Sequence, residues 1–151
     1  MSVFAGIENV SAEGTSNRLY FLEGNHIVEI DSVLLLEKRL GGGKLFIVET
    51  TVKESDNPDM KPGEQRNWVQ SLALSTALPR IKSFIGAAIG LCPKRQLNEI
   101  NAKVNSDFCN HAVSPENPLS GRTLALTCVN KVSRNGKNFT QVIWGINEQR
   151  R

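Results

Sequence analysis

The chain has too few cysteines, and too widely spaced, to be held together by disulfides. Cys92, Cys109 and Cys128 are odd in number with no close pair, which argues for a reducing compartment. Histidine is scarce as well. His26 and His111 stand far apart, and Cys109-Asn110-His111 has no C-x-x-C partner, so no metal site is expected. No apolar run approaches the length of a bilayer span. The opening MSVFAGIENVSAEG has no basic segment followed by an apolar run, so no signal peptide is expected and the location is read as cytoplasmic. Acidic residues are scattered, with no pair suited to general acid and base work. Gly41-Gly42-Gly43-Lys44 lacks the G-x-x-x-x-G-K-[ST] spacing of a phosphate loop, and it runs into the strand-like Leu45-Phe46-Ile47 instead of a helix. Neither an enzyme nor a cofactor is expected.

Internal repeats, low-complexity tracts and linkers are also missing. The 151 residues are enough for one domain with a proper core. We read one domain over 1–151, with a loose N-terminal arm (1–17) and a short basic tail (147–151). Hydrophobic content of 40% and charged content of 22% fit an ordinary soluble globular protein. The net charge of +3 suits nucleic acid, an anionic membrane surface or plain solubility, and does not choose among them.

The stretch 18–53 organises the rest. Its first run, 18–37, is too long and too broken in phase for a flat strand: Tyr20 and Leu22 share a parity, Gly24 and Asn25 interrupt, and Val33 to Leu36 is apolar without alternation. A glycine inside such a run predicts a bend that lets one strand serve two layers. Residues 45–53 alternate cleanly, with Phe46, Val48, Thr50 and Val52 on one face. After the turn-rich loop 54–65, residues 66–74 read as a third strand with Arg66, Trp68, Gln70 and Leu72 on one face.

The period then changes to 3.6. Ser75 or Thr76 caps a helix with Pro79 in its first turn, an apolar stripe of Ile81, Phe84, Ile85, Ala88 and Ile89, and Gly90 where it stops. Leu97, Ile100, Val104 and Phe108 predict a second, more polar helix. Residues 122–132 and 138–146 alternate again, joined by a turn containing Asn135-Gly136, the strongest short hairpin signal. Three strands, a helical insert and two more strands make a mainly β protein. That order predicts a five-stranded OB-fold, a β-barrel with its helices between strands 3 and 4. The other architecture considered is an α+β sandwich, a five-stranded meander with helices on one face.

The succession RLYFLEGNHIVEI, GGGKLFIVETTVKES, KPGEQRNWVQ, ALPRIKSFIGAAIG, NPLSGRTLAL and NGKNFTQVIW resembles phage-encoded OB-fold single-stranded DNA-binding proteins, over most of the chain from Tyr20 to Ile146. The resemblance implies a protein that coats single strands during phage DNA replication or recombination, in the host cytoplasm. It departs from better-known bacterial single-strand binders, which end in a disordered acidic tail that recruits partners. Here the last residues are Asn147-Glu148-Gln149-Arg150-Arg151.

Binding an unpaired strand needs cations along the phosphates and flat side chains under the bases. In an OB-fold the ligand crosses strands 2 and 3 between the first-to-second and fourth-to-fifth loops. Those loops here carry Lys38, Arg39 and Lys44, and Arg134 and Lys137. On the third strand, Arg66 and Gln70 share the face of Trp68, which is therefore read as wet and stacking. Tyr20 is a further candidate, while Phe139 beside the hairpin either stacks or caps the barrel. Phe46 and Trp144, in phase with valine and isoleucine, are assigned to the core. The alternative function is a protein-binding OB module, an adaptor or subunit of a phage replication or recombination complex, using the uncovered helix face and edge strands. RNA is a third possible ligand, and homo-oligomerisation is left open.

Overall fold

A computed structural model describes residues 20–37 and 43–147. The arm 1–17, the loop residues Lys38 and Arg39, and the tail beyond Asn147 lie outside the described residues. In chain order the elements are β1 (Gly24–Glu37), β2 (Lys44–Ser55), β3 (Gln65–Ser71), α1 (Ala77–Ala88), α2 (Leu97–Lys103), α3 (Ser106–Ala112), β4 (Thr123–Val132) and β5 (Asn138–Ile146). The strands form one sheet in the order β3-β2-β1-β4-β5, with every neighbouring pair antiparallel. The sheet is not closed: β3 and β5 are its two edges.

β1 carries the architecture because it pairs with β2 along its length and with β4 only from Gly24 to Glu29. The expected bend at Gly24 is displaced. Gly24 opens the strand, and register shifts between Ile27 and Val28 and between Ile30 and Ser32 do the bending. Glycine is needed at the opening because its φ is +132° and a Cβ there would lie 2.2 Å from Asp56 Oδ1. That carboxylate accepts from the Asn25 backbone N–H at 2.9 Å and from Asn25 Nδ2 at 3.0 Å, tying the start of β1 to the end of β2.

Beyond the reach of β4, a side chain takes over the pairing. Asn117, with φ +45°, accepts from Val33 N–H at 2.7 Å and donates to Val33 C=O at 2.9 Å. One amide thus satisfies both backbone groups that a neighbouring strand would otherwise meet.

The sheet curls strongly. Trp68 on β3 and Trp144 on β5 have ring centroids 5.2 Å apart. Across a flat sheet, four inter-strand steps of about 4.8 Å would separate those edges by about 19 Å. Phe84 of α1 packs against both, 5.7 Å from Trp68 and 4.8 Å from Trp144, so the helix adds a third ring where the two unpaired edges approach. The stripe on α1 buries Ile81, Phe84, Ile85 and Ala88 as expected, leaving Ile89 half-buried. Gly90 at φ +91° ends the helix with Leu91 N–H on Gly86 C=O and Gly90 N–H on Ala87 C=O.

The expected second helix is two short ones. Asn105 leaves the helical conformation and accepts from Phe108 N–H at 2.9 Å, capping α3 and ending α2. Among the described residues no helix is long and apolar enough to cross a membrane.

Candidate functional site

The exposed-indole expectation is overturned. Trp68 is 2% exposed, Arg66 6% and Gln70 7%, so the face read as wet is the inner face of β3. The cause lies in the neighbouring strand. Trp68 stands opposite Val48, Gln70 opposite Phe46 and Arg66 opposite Thr50, and opposed residues of an antiparallel pair project to the same side. Phe46 and Val48 are core, so Trp68 must be core too.

Arg66 is accommodated there by oxygen acceptors. Its Nη1 donates to Tyr20 C=O at 3.0 Å, and its Nη2 to Asp59 C=O at 3.1 Å and Glu64 Oε1 at 3.0 Å. The Lys61 backbone N–H, and after it the Arg66 guanidinium, hold the Glu64 carboxyl below its usual range. Arg66 is thus a clamp on the chain around the core, not a phosphate contact.

The described cations of the two basic loops lie toward opposite ends of β1, while Lys38 and Arg39 are outside the described residues. Lys44 is exposed and pairs with Glu37 at the C-terminal end of β1. The turn with Arg134 and Lys137, both exposed, lies past Cys128, which pairs with Gly24 at the opposite end of that strand. Ser133 N–H bonds Lys137 C=O at 2.8 Å, closing the turn.

Other candidates are brought together at the seam between the sheet edges. Tyr20 (36% exposed) and Phe139 (43% exposed) line one cleft of about 280 Å³. Residues 139–144 of β5 form one wall; Trp68 and Gln70 of β3 and Arg80 of α1 face it. A wall made of consecutive residues presents a strand's backbone edge as well as its side chains. Two polar atoms in the lining lack protein partners: Gln70 Oε1 and Trp144 Nε1, both buried. Each unmet group costs about 1–3 kcal/mol, a cost that a ligand could relieve.

Burial, and next the Cys128 thiol, push the Tyr20 hydroxyl up to about 12, with the Arg80 guanidinium acting the other way. Tyr20 is therefore a neutral ring near neutral pH. Arg80 is exposed on α1 and escaped the sequence reading. Its spacing of four from Phe84 was the available signal, since such positions share a helix side.

His26 is buried, with Nδ1 2.7 Å from Ser55 Oγ and Nε2 2.7 Å from Leu22 C=O. The three cysteines are free thiols. No protein-family model matches the chain, and no curated protein matches it in sequence.

Proposed function

We propose that this protein is a non-catalytic single-stranded DNA-binding protein of low sequence preference, acting in phage DNA replication or recombination, and that its sheet is an OB-fold opened at one seam. The strand order supports the second part. A five-stranded Greek-key barrel cut between β3 and β5 leaves the order β3-β2-β1-β4-β5. The bulged β1 and the helix at the seam belong to the same plan.

One observation carries the first part. Two accessible rings, a guanidinium and two unmet buried polar atoms surround a single cleft. A nucleobase offers a π-face to the rings and donors and acceptors on its edge, and the phosphate beside it suits Arg80. Lys137, exposed in the β4–β5 turn two residues before Phe139, is a further cation on the Phe139 side.

Titrating a labelled oligothymidine by fluorescence anisotropy at two salt concentrations tests this reading. We expect a complex that weakens as salt rises. Arg80→Gln should lower the salt slope by about one. Absence of any salt-sensitive complex at low ionic strength refutes the proposal. Competition with RNA of matching sequence decides between the two nucleic acids.

A further inference from the structure

On another side of α1 lies a larger groove, of about 540 Å³, which the nucleic-acid reading does not use. Its walls come from Leu35, Leu72, Leu78, Ile81, Val104 and Cys109. The second helical segment is broken at Asn105, and residues on both sides of that break, Asn101 and Val104 before it and Ser106, Cys109 and Asn110 after it, line the groove with α1. Two of its walls are costly to leave in water: Leu78 is 70% exposed and Leu35 40%. Leu35 belongs to the run Leu34-Leu35-Leu36, all three exposed, where a strand with one buried face would alternate with polar residues. Exposed apolar surface rimmed by polar groups marks contact sites.

The charge of the rim selects the partner. Among the described residues, Lys82 is the only Lys, Arg, Asp or Glu in the lining, and none of them forms an ion pair with it. The polar remainder is Asn101, Asn105, Ser106 and Asn110, amides and a hydroxyl. α1 carries no acidic residue, and its other cation, Arg80, lines the seam cleft and not this groove.

The shape selects its conformation. Among the described residues, β1 and β2 contribute only Leu35 and Phe46 to the lining, with no run of consecutive strand residues along which an extended peptide would pair. A groove walled by side chains takes the apolar stripe of a helix. We propose that this groove docks an acidic amphipathic helix of a partner protein, its leucine-type side chains on the groove floor and a carboxylate on Lys82.

The test uses the full chain and a synthetic fluorescein-labelled helical peptide with leucines at i, i+3, i+4 and i+7 and glutamates on the flanks. Two controls replace the glutamates by lysine or scramble the order. We expect the glutamate peptide alone to bind, Lys82→Glu to weaken it about tenfold or more, and Leu78→Asp to abolish it. Leu78 is largely exposed, so Leu78→Asp should keep the parent circular dichroism spectrum and its oligothymidine affinity. In a Cys92→Ser background the bound peptide should slow alkylation of Cys109. Equal binding of all three peptides, no binding of the glutamate peptide, or no protection of Cys109 overturns the proposal.

Discussion

Replacing Trp68 by alanine separates the buried-indole account from the stacking account most directly. The indole is 2% exposed and meets Phe46 edge-on at 6.2 Å, Phe84 at 5.7 Å and Trp144 at 5.2 Å. Truncating a buried aromatic to alanine costs about 3–5 kcal/mol through lost transfer energy and the cavity left behind. Each ring pair adds about 0.5–1.5 kcal/mol beyond burial. The three pairs share one indole and do not sum, so we take the upper part of the range, about 4–5 kcal/mol. For a chain of this size, about 2–4 °C of Tm is lost per kcal/mol, which predicts a fall of about 8–20 °C. Thermal melts followed by far-ultraviolet circular dichroism read this directly. Trp68→Phe, which keeps a ring in the site, should lose clearly less. A Trp68→Ala protein melting within about 2 °C of the parent while losing oligothymidine binding would refute the burial argument and return the indole to the surface.

Phe139→Ala should leave the melt nearly unchanged, since the ring is 43% exposed, yet weaken oligothymidine binding by about 1–3 kcal/mol in the anisotropy titration. Asn117→Ala removes both bonds to Val33 and puts a Cβ-bearing residue without a bonding side chain at φ +45°; urea denaturation should show a loss of about 2–4 kcal/mol. Asn117→Gly, which relieves the backbone strain, should lose less. Asp56 is held below the usual carboxylate range by the Asn25 backbone N–H first and the Asn25 side chain next. A lowered folded-state pKa contributes stability above the unfolded value, near 4, that disappears as pH falls through the folded value. Asp56→Ala should therefore destabilise the protein at neutral pH, and its melt should converge with the parent's in acid.

Where a segment's own pattern carried the decision, the sequence was readable. Phe46, Val48, Thr50 and Val52 are buried on one face of β2, and Leu124, Leu126 and Cys128 on one face of β4, as alternation predicted. The α1 stripe, its stop at Gly90 and the turn at Asn135-Gly136 were equally local. β3 was different. Neither of its faces is wholly apolar: Arg66, Trp68 and Gln70 alternate with Asn67, Val69 and Ser71. Two polar neighbours made Trp68 look wet, because the acceptors that meet the Nη1 and Nη2 of Arg66 are supplied by Tyr20, Asp59 and Glu64, outside the strand. The seam cleft was hidden for the same reason. Tyr20, Arg80 and Phe139 lie far apart in the chain, and only the curl of the sheet assembles them.

By itself, then, the chain's sequence determined which segments are strands, where α1 runs and which residues of β2 and β4 point inward, because periodicity is a property of consecutive residues. Tertiary structure decided which face of β3 is inside, that the sheet stays open, and which aromatics remain reachable. Those outcomes depend on register between strands and on how a bulged β1 bends, and a side chain's burial is set by what lies across from it, not by its neighbours in sequence.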